Sequence, residues 1–347
     1  MTNNYIEIGG RKIGPSYRPL VIAEIGINHN GSLTVAKEMV DAAKRAGVEC
    51  VKHQTHIIDD EMSEAAKHIK PGNSDSSIYD IMQSCALDES DEFELKKYVE
   101  AKGMIFISTP FSRAASVRLN KMGVPAFKIG SGECNNYPLL EHISNYKKPV
   151  ILSTGMNTIA SVSKALNIFK EREIPVAILH TTNLYPTPPN LVRLGAMTEL
   201  SSAFPDHVYG LSDHTLSNHA CLAATALGAS ILERHFTDKK ERKGPDIICS
   251  MDEWECKDLL YGSNLIWQMR GGKKEPSKEE KITMNFAFAT VVTTKDIQKG
   301  ETFTKENIWV KRPGIGEIPA ENFRNIIGKQ SKVDIPRDTH LKKNQIN

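Results

Sequence analysis

Two histidines, His214 and His235, each close a short apolar run, YGLSDHT (209 to 215) and SILERHFT (230 to 237), with one helix-like segment between the runs. Consecutive parallel strands lie side by side with their carboxyl ends on one face, so a strand–helix–strand reading brings both imidazoles together there. Such a pair can chelate a divalent ion, and the residue types alone do not choose among Zn, Mn and Fe. The competing reading is two polar residues that merely end their strands.

The other apolar runs also end in polar groups. Strand candidates are LVIAEI (20 to 25), ECVKHQ (49 to 54), MIFIST (104 to 109), AFKIGS (126 to 131), PVILST (149 to 154), VAILHTT (176 to 182), YGLSDH (209 to 214) and SILERHF (230 to 236). Their ends offer Glu24, Asn28 and His29; Lys52 and Gln54; Thr109; Lys128, Ser131 and Glu133; Ser153; Asn183 and Tyr185; Ser212 and Asp213; and Glu233. Buried lysines need anionic partners. Lys52 and Lys128, among Thr109, Ser131, Ser153, Asn183 and Ser212, would suit a phosphate or phosphocarboxylate, and a salt bridge to a rim carboxylate is the alternative.

Between these runs lie amphipathic stretches such as LTVAKEMVDAAKRAG (33 to 47), whose apolar spacing of three and four predicts a helix ending at Gly47. Eight buried strands, each followed by a helix over roughly 250 residues, predict a (β/α)8 TIM barrel with its chemistry on the carboxyl-terminal rim. A doubly wound sheet is the other α/β solution, but GINHNGS (26 to 32) after the first strand lacks the GxGxxG spacing. A long polar insertion between Gln54 and Asp91 is expected to wall the site or shield a contact. The boundaries predicted are a barrel over 1–270, a linker over 271–283 containing GGKKEPSKEEKI, and a small α+β module over 284–347.

Composition narrows the partners. Of 347 residues, 44 are Lys or Arg and 42 Asp or Glu, a net charge of +2, which argues against nucleic-acid or membrane-surface binding by bulk electrostatics. No apolar run approaches the roughly 20 residues of a membrane span, and MTNNYIEIGGRKIG lacks a signal-peptide core. A cytoplasmic protein is expected. Six cysteines without a CxxC pair fit buried free thiols; Cys134, beside Glu133, is the one that could be read as a nucleophile, but no basic partner stands next to it.

The motifs AEIGINHNGS, VKHQT, ISTPFS, KIGSGECNN, ILSTGM, TTNLYPTP, GLSDHT, ERHFTD, GPDIICSM and WVKRPG together resemble the bacterial sialic acid synthase (N-acetylneuraminate synthase) family over essentially the whole chain. That resemblance implies a TIM barrel followed by an antifreeze-like (SAF) α+β module, and a domain-swapped homodimer in which the module of one subunit caps the barrel of the other. It implies condensation of phosphoenolpyruvate with N-acetylmannosamine, phosphate leaving by C–O cleavage, and dependence on a divalent metal, Mn2+ before Mg2+ or Co2+. The metal ligands implied are His214 and His235, and the phosphoenolpyruvate pocket Lys52, Thr109, Lys128, Ser131, Ser153, Asn183 and Ser212. Sugar contacts implied are Gln54, Tyr185, Asp213 and Asp246, with Phe286 and Arg312 from the module; Glu133 and then Glu24 are the acid/base candidates.

Alternatives remain open at this point. A 2,4-diacetamido-2,4,6-trideoxymannose substrate would make a legionaminic acid synthase. A Schiff-base pyruvate aldolase could use Lys52 or Lys128, and a non-catalytic sensor would need the pocket without turnover.

Overall fold

Eight parallel strands close on themselves in a computed structural model that describes residues 4–70 and 76–347. They are β3 (Leu20–Gly26), β4 (Cys50–Thr55), β5 (Ile105–Pro110), β6 (Phe127–Ile129), β7 (Val150–Ser153), β8 (Val176–Thr181), β9 (Val208–Asp213) and β10 (Ile231–His235), with β10 pairing back onto β3. A short antiparallel hairpin, β1 (Ile6–Ile8) and β2 (Arg11–Ile13), precedes them. The register sets Glu24 beside Lys52 on one side and beside His235 on the other.

The inward face of each strand changes character along its length. Leu20, Ile22, Cys50, Ile107, Ala126, Ile151, Leu179 and Ile231 form one apolar cluster inside the barrel. Two residues further along, the same alternation delivers Glu24, Lys52, Thr109, Lys128, Ser153 and Glu233. Ile6, Ile8 and Ile13 of the hairpin belong to that inner cluster, so the hairpin seals the barrel floor. The sequence reading missed this pair of three-residue strands.

Helices cover the outside: α1 (Leu33–Ala46), α2 (Ile58–Glu61), α3 (Ile78–Cys85), α4 (Glu89–Ala101), α5 (Arg113–Met122), α6 (Tyr137–Ser144), α7 (Ile159–Lys170), α8 (Leu194–Ala203), α9 (His219–Ala226) and α10 (Glu253–Met269). Local chemistry sets their ends. The Ser32 hydroxyl accepts from the Val35 N–H to start α1, and Gly47 at φ 96° stops it. Asp252 and Glu255 form a reciprocal capping box at the start of α10. A second apolar layer, with Met39, Val51, Leu95, Phe106 and Phe236, fills the space between strands and helices.

The chain divides into two compact units, Met1–Gly271 and Gly272–Asn347. In the second, helix α11 (Lys281–Ala287) precedes the antiparallel pair β11 (Thr290–Thr293) and β12 (Ile308–Lys311). Val291, Ile297, Phe303, Ile308, Ile318, Ile335 and Leu341 make its core. Two sequence expectations need correction. The end of the proposed linker is already helical, and the first residues of FAFATVVTT, including Phe286, lie in α11 rather than in a strand; the apolar spacing of KITMNFA is too short to separate the two readings. Among the described residues no helix is long and apolar enough to cross a membrane.

Candidate active site

The centre of the barrel mouth is a lattice of four charges. Lys52 Nζ lies 2.5 Å from Glu24 Oε2 and 3.7 Å from Glu233 Oε1, and Lys128 Nζ lies 3.6 Å from the same Glu233 oxygen. Hydroxyls complete it: Lys52 donates to Thr109 Oγ1 at 3.3 Å, Lys128 to Ser153 Oγ at 2.7 Å, and Ser212 Oγ to Glu233 Oε1 at 3.1 Å. Burial opposes the Lys52 charge, but Glu233 and Glu24 outweigh it and hold the lysine above its ordinary value. Burial lowers Lys128, with Glu233 only partly compensating. Burial also works against the Glu233 carboxylate, yet Lys128 and Lys52 keep it below the usual glutamate range.

Thus both lysines are paired with rim carboxylates, one of the two alternatives left open by the sequence. Glu233, placed at a strand end but given no role, is the carboxylate that joins them. The signal was present in ILERH, where alternation puts Glu233 and His235 on one inward face.

Beside this lattice stand the two histidines. The His214 and His235 ring centroids are 5.3 Å apart, at 45° to one another. His214 Nδ1 lies 2.9 Å from the Thr182 carbonyl, an arrangement that orients the ring with Nδ1 as donor. Tyr185 stacks on His214 at 4.1 Å, and Asp246 Oδ2 is 3.5 Å from His235 Nδ1. Burial lowers both histidines to about 4, so both rings are neutral at pH 7 and carry the lone pairs a cation needs. His235 Nδ1 is buried without a hydrogen-bond partner. This donor set fits a divalent ion held by two imidazoles with its other positions left to water and substrate. No cluster of three or more His, Cys, Asp or Glu side chains disposed to grip an ion occurs among the described residues.

Ser131, on the turn Ser131–Glu133, accepts from the Gly155 N–H at 3.0 Å. A Cβ on Gly155 would lie 1.8 Å from Asn183 Oδ1, so glycine is what lets Asn183 approach Ser131. Glu133 folds back over Gly130. Burial, reinforced by Glu61, pushes its carboxyl up to about 7. Burial likewise raises Asp246 to about 6.

A cavity of about 390 Å³ opens over this floor, lined among others by Gln54, His56, Tyr185, His235 and Asp246. Gln54 donates to Glu24 Oε1 at 2.9 Å and faces His56, which in turn contacts Glu61 at 2.8 Å. Ile78, Ile81 and Met82 of α3 line the same cavity, so the insertion walls it; Pro71–Asp75 lie outside the described residues. His56 and Glu61 were missed by sequence reasoning. Glu133 Oε2, Asn183 Oδ1, Glu233 Oε2 and His235 Nδ1 all remain buried without hydrogen-bond partners, an unusual concentration that a polar ligand would relieve.

Asp213 departs from expectation. It is the neighbour of inward-facing Ser212 and therefore points out of the barrel, where it accepts from Thr215 at 3.0 Å and pairs with Arg234 at 3.5 Å. Its carboxylate belongs to the wall rather than to a sugar site. Phe286 and Arg312 lie in the second unit, both exposed. Cys134 is buried and pushed up to about 12 by burial and then Glu133, which removes it as a nucleophile.

A closed parallel barrel whose inward residues turn from apolar to ionisable at the strands' carboxyl ends defines a (β/α)8 enzyme. The chain belongs to the NeuB family, whose model matches residues 39–275, and a SAF domain matches residues 288–347. It is 38% identical over 320 residues to N,N'-diacetyllegionaminic acid synthase of Campylobacter jejuni, covering 90% of this chain and 95% of that protein. Identity to the Homo sapiens N-acetylneuraminate-9-phosphate synthase is 31%, covering 95% and 93%. The crystal structure of N-acetylneuraminic acid (sialic acid) synthetase from Leptospira borgpetersenii serovar Hardjo-bovis, in complex with citrate, superposes with a TM-score of 0.74 at 29% identity, covering 81% of this chain and 95% of that one.

Proposed function

We propose that the chain is a nonulosonic acid synthase that condenses phosphoenolpyruvate with an N-acylated hexosamine in its open-chain aldehyde form. The observation that carries this reading is the Lys52–Glu24–Glu233–Lys128 lattice beneath two neutral imidazoles. Lys52 and Lys128, with Thr109, Ser131, Ser153, Asn183 and Ser212, bind the phosphate and carboxylate of phosphoenolpyruvate, which replace part of the carboxylate partnership the lysines now have. Gln54, Tyr185 and Asp246 orient the sugar so that the enol C3 lies against its aldehyde carbon. His214 and His235 hold the divalent ion, Mn2+ in this proposal, and that ion when bound supplies Lewis-acid polarisation of the aldehyde.

The new bond joins C3 to the aldehyde carbon as the enol double bond opens, leaving C2 electron-poor and the aldehyde oxygen an alkoxide. That alkoxide becomes a hydroxyl by taking up the proton that Glu133 removes from the incoming water. Water adds at C2, and Glu133 takes the proton of that water. The tetrahedral centre then breaks its bond to the phosphate oxygen, leaving a ketone and inorganic phosphate. In the same proposal the protein works as a homodimer in the cytoplasm, in keeping with six free, buried thiols, and Arg312 and Phe286 of one subunit's module reach the partner's sugar.

Two sugars have separate support. The motifs GSGECNNYP and TNLYPTP favour N-acetylmannosamine, whereas the higher identity to a legionaminic acid synthase, 38% against 31%, favours 2,4-diacetamido-2,4,6-trideoxymannose. Phosphate release followed with each sugar side by side, with Mn2+ and with chelator, tests both. Release with neither sugar would overturn the function. Ion pairing disfavours Lys52 as a Schiff-base nucleophile, and borohydride with pyruvate should trap no adduct.

A further inference from the structure

The loop leaving the first barrel strand, Asn28-His29-Asn30-Gly31, has no part in the chemistry above, yet each of its residues holds a different wall of the cavity. Asn28 is only 1% exposed, and its Nδ2 donates to the Phe236 carbonyl at 3.1 Å and to Ser250 Oγ at 2.8 Å. Ser250 Oγ passes the connection on, donating to the Asp246 carbonyl at 2.8 Å. His29 Nε2 meets His53 Nε2 at 3.2 Å, behind Lys52 and Gln54. Asn30 donates to the Lys243 carbonyl, and a Cβ on Gly31 would lie 2.7 Å from the Ser84 carbonyl of α3.

One of these contacts supports the reacting face from behind. The segment after β10 returns beside it: Met251 N–H donates to the His235 carbonyl at 2.7 Å and Thr237 N–H to the Met251 carbonyl at 3.0 Å. Gly244, two residues before Asp246, packs so closely that a Cβ there would lie 3.3 Å from the Asn28 carbonyl oxygen. The Asn28 amide therefore ties the end of β10 and the Asp246–Ser250 turn to one buried point. A buried amide with fixed partners is a stiff support, and residues that hold ligand-bearing groups from behind control affinity strongly.

We propose that Asn28 is a positioning residue that sets where Asp246 and His235 stand on the rim, acting through Ser250 and the Phe236 carbonyl. This rests on the reading above only in assigning those two residues to sugar and metal. The test uses the full chain as wild type, Asn28→Ala, Ser250→Ala and Ser250→Thr. Hydrogen exchange without any ligand reads the geometry, Mn2+ titration by electron paramagnetic resonance reads the imidazole site, and steady-state kinetics reads each substrate.

In Asn28→Ala the Thr237 and Met251 amides are expected to exchange roughly five- to tenfold faster, the loss of about one net hydrogen bond, with strands β5 to β8 unchanged. The Mn2+ dissociation constant and the KM for the sugar should rise roughly ten- to a hundredfold while the KM for phosphoenolpyruvate stays near wild type. Ser250→Ala should shift in the same direction and Ser250→Thr, which keeps the hydroxyl, should not. Unchanged protection over 237–251, or a loss spread evenly over the barrel and both substrates, overturns the proposal. If Asn28→Ala fails to fold, Ser250→Ala against Ser250→Thr decides it. A wild-type chain that neither binds Mn2+ nor releases phosphate sinks the synthase reading, while exchange still judges the support role.

Discussion

Glu233 Oε1 stands 3.6 Å from Lys128 Nζ inside the barrel, and the same oxygen is 3.7 Å from Lys52. One carboxylate thereby serves two buried cations. Glu233→Gln keeps the shape and removes the charge, so it should destabilise the ligand-free protein by about 3 kcal/mol, because buried Lys128 loses its carboxylate partner and Lys52 is left with Glu24 alone. Thermal unfolding measures this. Phosphoenolpyruvate should restore more of the lost melting temperature in the variant than it adds to wild type; no such excess would argue against these lysines as its anion site.

Glu133 leads to a pH prediction. Its folded carboxyl is raised from 4.5 to about 7 by burial and then Glu61, with Lys128 pulling slightly the other way. Acting as the base toward water, it must be ionised, so kcat/KM should rise with pH through about 7 and Glu133→Gln should lose that limb. Turnover should fall roughly a hundredfold or more with a much smaller change in KM. The same shift bears on stability: between 4.5 and about 7 the folded state holds a proton the unfolded chain releases, so this group's contribution falls as pH rises through that window. Near-normal turnover in the variant would remove Glu133 from this role.

His214→Ala and His235→Ala should each abolish Mn2+-dependent condensation while leaving the circular dichroism of the barrel intact. Chelator should silence the wild type, and added Mn2+ should restore it. Full activity in either variant would dismiss the two-imidazole site.

Gly155→Ala offers a sharper probe, since its methyl group would collide with Asn183 Oδ1 at 1.8 Å. Asn183 must move away from Ser131, and kcat/KM for phosphoenolpyruvate should fall roughly tenfold or more, as displacement of a positioned group costs. Gly155→Ala with unaltered kinetics would show that Asn183 is not used.

Removing residues 284–347 tests the cap. The first unit, with its own core, should still unfold cooperatively, and condensation should be lost. An active truncated enzyme would overturn the capping role of Arg312 and Phe286.

Much of this site could be read from the chain because strand alternation is strict. In ILERH and CVKHQ a period of two assigns each side chain to one face, and all eight strand cores fall within a residue or two of their predicted ends. The same rule, applied to LSD, would have turned Asp213 outward; motif likeness put it in the sugar site, and the strand's pleat decides against that. His56 and Glu61 were not legible, since they lie past the strand, in a loop and at the end of the four-residue helix α2, where too few residues repeat to fix a direction. Nor was the Asn28 amide, whose partners at Phe236 and Ser250 are more than two hundred positions away in sequence.

The isoleucine hairpin under the barrel makes the interior a cul-de-sac. Lys52 sits one inward position deeper than Gln54, and Glu233 one deeper than His235, so the proposed phosphoester site lies below the proposed aldehyde site. In the proposed reaction, entry from one side would impose a queue: the enolpyruvate would be seated before the sugar, and phosphate would leave after the nine-carbon acid clears the entrance.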